Sequence, residues 1–261
     1  MKVRSIVLKA AFILVNILFF AGIAAATDIT VMTSGGFSAA LKELAPQYER
    51  TTGNKIVLVF GPSMGTTPGA IPSRIQRGEP ADVVVIVDYA LDDLVKKGQV
   101  STGTIGLARS GISMAVRAGA PKPDISSAEA FKHTLLQAKS IAYSDSASGV
   151  YLSTELFKNL GIADQIKSKC KMIPAEPVGA VVARGDAEIG FQQMSELRPI
   201  PGIDIVGPLP PTLQKFTVFS AGVVANSKAP EAAKAFIKFL ASPAAAPIIT
   251  KTGMEPMNLA K

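Results

Sequence analysis

The chain has 261 residues, of which 48% are hydrophobic and 18% charged, with 22 glycines, 18 prolines, one cysteine and no tryptophan. This composition is that of a globular protein with enough apolar residues for a core, and the length predicts one or two domains. The lone Cys170 excludes a disulfide framework. The net charge of +7 includes no run of five or six basic residues, so no nucleic-acid partner is predicted.

The first 26 residues have the pattern of a secretory signal peptide. A basic start with Lys2, Arg4 and Lys9 precedes an apolar run over residues 10–21, and three alanines at 24–26 form a small-residue cleavage pattern. The apolar run is about a dozen residues, shorter than the roughly 20 that a membrane-spanning helix needs. We therefore predict a cleaved signal peptide over residues 1–26, with an uncleaved anchor as the alternative. The mature protein would be periplasmic, carry a charge of +4 and insert in no membrane.

The mature chain opens with alternating strand and helix patterns. The predicted strands are residues 28–33, 55–60 and 81–87, and the predicted helices are residues 37–52 and 71–77. The run 55–60 is apolar throughout, which predicts burial of both its faces. Gly53 is placed to end the first helix, and Pro46 suggests a kink or an early break in it. Repeated units of this kind predict an open α/β sheet with right-handed crossovers.

The rest of the chain continues the α/β pattern. The predicted strands are residues 112–117, 140–143, 188–191 and 216–224, and the predicted helices are residues 128–138, 149–160, 179–184 and 230–240. We predict two lobes, because the chain crosses near residues 108–112 and returns near 205–222. Lobe I would hold residues 27–110 plus 216–261, and lobe II would hold residues 111–215.

Three segments at predicted strand ends combine glycines with hydroxyl side chains. In open α/β sheets, ligands bind beyond the carboxyl ends of the strands, where helix N-termini supply free amides and partial positive charge. Each segment taken singly is most often an ordinary cap and turn. Together they predict a cradle for an oxyanion or a carboxylate. The ligand-binding candidates in these segments are Ser34, Gly35, Gly36, Ser63, Thr66, Thr67, Ser146 and Ser148.

Other site chemistries lack their motifs in this sequence. The glycine turns are not followed by the Gly-Lys-Ser/Thr of a phosphate loop, and no Gly-x-Ser-x-Gly elbow has a plausible histidine partner. One histidine, His133, and one cysteine cannot build a metal site, although carboxylates could. We therefore predict no metal and no cofactor.

Three stretches resemble the periplasmic molybdate-binding protein family. They are Ile29–Ser34, Phe60–Ser63 and Ile75–Val83, and the Gly-Glu-Pro-Ala-Asp-Val of residues 78–83 is the most specific of them. The similarity continues at residues 148–151, 188–191 and 236–242. The resemblance implies a two-lobed type II periplasmic binding protein with a hinge and a central cleft. It also implies a monomer that closes on a small anion, with an ABC permease as partner.

The sequence departs from that family at its ligand-binding positions. Ser63 matches the second of the family's two ligand-binding serines, but the first falls at Gly36 and the family's tyrosine falls near Gln193. The loop over residues 63–72 is also longer than the family's. These departures favour a larger anion, such as a polycarboxylate. Further ligand-binding candidates are Gln192, Gln193 and Arg74, whose guanidinium could pair with a carboxylate.

The chain is also similar to the aconitate isomerase branch of this fold. Interconversion of cis- and trans-aconitate by allylic proton transfer requires a base and an acid. The candidates for proton transfer are Glu196, Asp145, Tyr151 and Glu176. The sequence thus leaves two functions near parity, a binding protein and an isomerase, and favours binding slightly because that use of the fold is commoner. A structural or adhesive role is disfavoured by the repeated strand-end cradles.

Overall fold

The computed structural model describes residues 26–65, 67–174 and 176–257. The predicted signal peptide lies outside the described residues except for Ala26. Among the described helices, none combines the length and the apolar character that crossing a membrane requires.

Strands and helices alternate along most of the described chain. The strands are β1 Asp28–Thr33, β2 Lys55–Phe60, β3 Val83–Val87, β4 Ile105–Arg117, β5 Ile141–Ser144, β6 Cys170–Ile173, β7 Ile189–Gln193, β8 Ile203–Pro208, β9 Phe216–Val223 and β10 Glu255–Pro256. The helices are α1 Gly35–Thr52, α2 Ile71–Gln76, α3 Asp88–Lys96, α4 Ala128–Gln137, α5 Ala147–Tyr151, α6 Phe157–Asn159, α7 Ala163–Ile166, α8 Val178–Arg184, α9 Met194–Leu197, α10 Pro230–Leu240 and α11 Ala246–Lys251. A π-helical turn, Leu152–Leu156, joins α5 to α6, and a short 3₁₀ turn, Lys167–Lys169, follows α7.

The strands form one mixed sheet in the order β2-β1-β3-β9-β4-β7-β5-β6, with β8 and β10 also paired to β4. Pairing is parallel within β2-β1-β3 and within β7-β5-β6, and antiparallel where β9 and β4 join these two groups. The long strand β4 belongs to both groups, since its residues 105–111 pair with β9 and residues 112–116 pair with β7. The predicted strand 112–117 is therefore the second half of a longer one.

The buried side chains form separate cores on the two sides of that shared strand. One cluster draws on residues 29–108 and 219–254, and it includes Phe37, Leu41 and Phe236. A second draws on residues 112–209 around Phe131 and Phe191, whose rings meet edge to face with centroids 5.7 Å apart. A small third cluster, Ala142–Ala187, lies beneath α8. Two cores on one curled sheet are the architecture of the two-lobed type II periplasmic binding proteins, as the sequence predicted.

Strand β2 corrects one local expectation. Its apolar sequence predicted burial on both faces, but only Ile56 is buried and both ends are exposed. The reason is its place at the sheet edge, where only one neighbouring strand covers it. The all-buried pattern instead belongs to β3, which lies between β1 and β9.

Helix α1 positions the functional segment that precedes it. It runs unbroken through Pro46, and its face of Phe37, Leu41, Leu44 and Tyr48 is buried, as the apolar spacing predicted. Gly53 ends the helix with a φ of 75°, a left-handed conformation that suits glycine, and donates its N–H to the Glu49 carbonyl. The burial of this face fixes the direction in which the helix N-terminus points.

Candidate functional site

A cavity of about 600 Å³ lies between the strand ends of the two halves of the sheet. Its first wall comes from α1 with the residue before it, the ends of β2 and β3, and the middle of β9, and comprises Ser34, Gly35, Gly36, Ser38, Lys42, Phe60, Gly61, Pro62, Ser63, Val87 and Phe219. Its second wall comes from the ends of β5 and β7 and the segments around α8 and α9, and comprises Ser144, Asp145, Ser146, Ala147, Glu176, Pro177, Gln192, Gln193, Ser195, Glu196, Pro199 and Ile200.

Another cavity, of about 650 Å³, lies beside α4 and contains His133. It is lined by none of the candidate residues predicted from the sequence, and none of the buried polar atoms without a partner belongs to its lining. Three such atoms do belong to residues of the first cavity, which we call the interlobe cavity: Ser34 Oγ, Gln193 Oε1 and Ser195 Oγ. Because buried polar atoms normally find a hydrogen-bond partner, the interlobe cavity is the stronger candidate for a ligand site.

The first wall presents uncharged donors. Ser34 caps α1 with an extended backbone (φ −91°, ψ 169°), yet its side chain makes no capping hydrogen bond, and only 4% of the residue is exposed. The first amides of a helix have no partner within the helix, and they carry about half a unit of positive charge. Ser34 Oγ and the N-terminus of this 18-residue helix therefore form an anion-binding corner.

Two glycines at this corner make room for neighbouring side chains. A Cβ at Gly36 would overlap the ring of Phe219, and a Cβ at Gly35 would overlap Oε1 of Glu196. The absence of a side chain at Gly35 thus allows a carboxylate from the second wall to reach the start of α1. Sequence analysis selected both glycines for their amides, and it missed this steric role.

Ser63 completes the first wall at the end of β2. The residue is buried, and its Oγ accepts a long hydrogen bond of 3.4 Å from the Val87 amide. Its hydroxyl proton remains available to a ligand. Thr67, from the same predicted loop, is exposed and does not line the cavity, and Thr66 lies outside the described residues.

Hydroxyl groups also cluster where the second wall begins. Ser144 Oγ lies 2.8 Å from Ser146 Oγ and 3.1 Å from Ser148 Oγ. Ser146 lines the cavity, whereas Ser148 is buried behind it. Gly149 allows this turn, because a Cβ there would overlap the Ser144 carbonyl oxygen. The structure therefore brings Ser146 to the cavity and gives Ser148 a supporting contact.

Two glutamines at the end of β7 are held in defined orientations. Gln192 Oε1 accepts a hydrogen bond of 2.9 Å from the Val178 amide, and Gln193 Nε2 donates one of 2.8 Å to Thr217 Oγ1. Gln193 Oε1 then remains buried without a partner. Both side chains line the cavity as predicted, one with a free acceptor.

Glu196 is the candidate acid–base group with the most altered environment. Burial raises the pKa of its carboxyl to about 7, hydrogen bonds with the Gln193 backbone and the Gln192 side chain oppose this rise, and the charge of Asp145 adds to it. A pKa near neutrality suits proton transfer at physiological pH. Sequence analysis missed Ser195, which lies two residues after Gln193, the last residue of β7.

The charged groups of the cavity divide unequally between the walls. The first wall carries Lys42, whose Nζ lies 5.2 Å from the centre of the Phe60 ring. The second wall carries Asp145, Glu176 and Glu196. Glu176 is paired with Arg184 at 3.0 Å, whereas Asp145 is exposed. The cavity thus offers donors on one side and carboxyl groups on the other.

Two predicted residues lie elsewhere. The Arg74 guanidinium is held by the Glu79 carboxylate and the Phe60 carbonyl, and it does not line the cavity. Tyr151 also lies outside the lining, because its hydroxyl donates to the Leu213 carbonyl at 2.9 Å. Both side chains have partners that account for their positions.

Comparisons with known proteins agree with this fold. The family model "Bacterial extracellular solute-binding protein" matches residues 29–255, and the chain belongs to that family. An aconitate isomerase from a Pseudomonas species is 54% identical over 232 residues, which cover 88% of each chain. The molybdate-binding protein ModA of Azotobacter vinelandii is 26% identical, over 88% of this chain and 90% of that protein.

Solved structures extend the likeness to the fold. The periplasmic molybdate-binding protein of Azotobacter vinelandii superposes with a TM-score of 0.68 at 23% sequence identity, over 87% of this chain and 98% of that one. The chain is therefore a protein of the solute-binding fold. Its lining of amides, hydroxyls and one lysine on the first wall suits a small anionic ligand.

Proposed function

We propose that this protein is an aconitate isomerase, which interconverts cis- and trans-aconitate in the interlobe cavity. The observation that carries the proposal is Glu196, a carboxyl with a pKa of about 7 that reaches the N-terminus of α1 across the cavity. An ionised carboxylate in that place would repel an anionic ligand, whereas a carboxyl that keeps its proton can transfer it to the substrate. The relative at 54% identity supports the same activity.

The first wall would bind the substrate carboxylates. Ser34 Oγ, Ser63 Oγ and the first amides of α1 can donate hydrogen bonds to carboxylate oxygens, and Lys42 adds a positive charge. Removal of a proton next to a carboxylate places extra negative charge on that group. The same donors would stabilise this charge as it forms, which lowers the barrier most when the donors are fixed before the reaction.

The second wall would transfer the protons. The Asp145 carboxylate removes a proton from the substrate methylene, and the electron pair of that C–H bond forms the new double bond. The electrons of the old double bond take a proton from the Glu196 carboxyl at the other carbon. One C–H bond breaks and one forms, so the substrate keeps its composition. Asp145 is exposed and returns its proton to water when the product leaves, and Glu196 takes up a proton from water before the next turnover.

A direct assay tests the activity. Purified mature protein incubated with cis-aconitate should produce trans-aconitate, which chromatography separates and measures. Absence of conversion by a folded sample that still binds tricarboxylates contradicts the isomerase.

A receptor for a polycarboxylate or oxyanion is the second candidate, supported by the resemblance to molybdate-binding proteins. This protein would be an exported periplasmic monomer that delivers its ligand to an ABC permease. Its lobes would be residues 27–110 plus 216–261 and residues 111–215, closing by hinge motion. A thermal-shift screen distinguishes the ligands, since bound ligand raises the melting temperature. Strong stabilisation by molybdate, with none by tricarboxylates, would favour the receptor.

A further inference from the structure

We propose that the interlobe cavity binds its anionic ligand together with one proton, and that Glu196 holds this proton. The inference rests on the proposed function for the class of ligand, a small polycarboxylate. It goes further because it states that ligand binding includes the uptake of a proton by the protein.

The position of Glu196 explains why a proton should bind with the ligand. Its Oε1 lies against Gly35, at the corner formed by Ser34 and the N-terminus of α1, where the first wall would receive a carboxylate. Side chains of the same lining independently indicate a ligand here, because Ser34 Oγ, Ser195 Oγ and Gln193 Oε1 are buried without partners. A ligand carboxylate and the Glu196 carboxylate would therefore lie at one corner.

Of the other charged groups in the lining, only Lys42 opposes the repulsion. Asp145 and Glu176 add negative charge, and Lys42 is the basic residue of the lining. Three cations outside the lining have other partners: Arg184 binds Glu176 and Asp186, Arg198 donates to the Lys251 carbonyl, and Lys251 pairs with Glu43. A proton on Glu196 removes the repulsion between the two carboxyl groups.

An acceptor in the second wall fits the protonated form. Gln193 Oε1 can only accept a hydrogen bond, and its amide is held by the contact of Nε2 with Thr217. A cavity that bound only fully ionised carboxylates would leave this oxygen without a donor. A carboxyl proton in the cavity supplies one.

Proton uptake would make binding depend on pH. In the free protein Glu196 ionises at a pKa of about 7, so above this pH each binding event must draw a proton from solution. The affinity should then fall about tenfold for each pH unit above that value and be level below it. The bound proton is the one that Glu196 gives to the substrate, so binding would load the acid for the reaction.

Calorimetry with tricarballylate tests the proposal, because this saturated tricarboxylate cannot isomerise. Titrations are made at about one pH unit above the pKa of Glu196, in Tris and in HEPES. The two buffers release protons with different enthalpies, so the difference in the heat of binding gives the number of protons taken up per ligand. We expect uptake of about one proton per ligand. A titration below the pKa should show little uptake.

Three variants assign the proton. Glu196→Gln should abolish uptake and bind tricarballylate more tightly than the wild type at high pH, since its neutral amide resembles the protonated acid. Glu196→Asp keeps a titratable carboxyl and should retain uptake. Glu155→Gln, at an exposed glutamate paired with Lys215, is the matched control and should behave as the wild type.

The outcomes separate this inference from the proposed function. Tight binding without proton uptake by the wild type, or equal uptake by Glu196→Gln, overturns the inference and leaves the isomerase intact. Lack of aconitate conversion alongside proton-linked binding overturns the isomerase and supports the inference for a receptor. Failure of tricarballylate to bind at either pH overturns the ligand class and the inference together.

Discussion

The two walls of the cavity are built from the same kind of element, a strand end followed by a helix, but they carry different chemistry. The first wall offers hydroxyls, amides and Lys42, and none of its residues is acidic. The second wall offers Asp145, Glu176 and Glu196 beside its serines and glutamines. The difference indicates a division of functions, in which the first wall binds the anion and the second wall transfers protons.

This division depends on a contact between the walls. Gly35 lacks the side chain that would keep Glu196 away from the first wall, so the acid reaches the place where the anion is held. A cavity with two donor walls would bind an anion without changing it. If the walls differ in function as they differ in composition, substitutions in the two walls should have different effects.

The largest expected effect is on catalysis by the second wall. Glu196→Gln keeps the size of the side chain but cannot give up a proton, so the kcat for aconitate isomerisation should fall about 10³-fold. Chromatography of the isomers measures the rate. Glu155→Gln is the control and should keep the wild-type rate. Activity of Glu196→Gln within a few-fold of the wild type would exclude Glu196 as the acid.

The same substitution should stabilise the fold in a pH-dependent way. The Glu196 pKa is raised from 4.5 to about 7, so the native state holds its proton where the unfolded chain has released it. Native stability due to this group is therefore complete below pH 4.5 and is lost as the pH rises to about 7. At higher pH, Glu196→Gln should raise the free energy of unfolding by about 3 kcal/mol.

Urea unfolding at a pH below and a pH above this window measures the effect. The difference between Glu196→Gln and the wild type should grow across the window and then remain constant. Glu155→Gln should show no such growth. A constant difference at all pH values would mean that burial does not raise the pKa of Glu196.

A smaller loss of activity should follow removal of the base. Asp145→Asn should lower kcat about 10²-fold, at the lower end of what one acid–base group contributes. The residue is exposed, so stability should change little. Because the substitution removes a negative charge from the cavity, the affinity for tricarballylate should be equal to or above that of the wild type. Weakened binding with unchanged kcat would place Asp145 in binding instead.

The sequence predicted the fold well because its signals are local. The period of Phe37, Leu41, Leu44 and Tyr48 predicted the buried face of α1, and it was confirmed. The burial of β2 was predicted wrongly, since an edge position depends on which strands pair and not on the strand's own residues. The length of β4 was missed for the same reason, because its first half is defined by pairing with β9.

The sequence predicted which segments form the site, but not which of their side chains are in contact. Strand-end position selected Ser34 and Ser63, the family resemblance selected Gln193, and all three line the cavity. Arg74 was selected by charge alone, and its ion pair with Glu79 could not be inferred without the turn that brings them together. The approach of Glu196 to Gly35 joins residues far apart in the sequence, and no local pattern marks it.

The smallest expected effect is on binding by the first wall, and two buried serines allow a matched test. Ser34 Oγ and Ser113 Oγ are both buried without a partner, but only Ser34 lines the cavity. Ser34→Ala should weaken tricarballylate binding about tenfold, the loss of one hydrogen bond to a charged group. Ser113→Ala should leave binding unchanged. Calorimetry of both variants, at a pH below the pKa of Glu196, measures the affinities.

The stability of the two variants completes the comparison. Each substitution removes a hydroxyl that the fold leaves unsatisfied, so neither should lower the free energy of unfolding by more than about 1 kcal/mol. Equal binding losses in both variants would mean that the effect comes from packing and not from contact with the ligand. Unchanged affinity of Ser34→Ala would remove its hydroxyl from the anion-binding corner and leave the helix amides as the donors there.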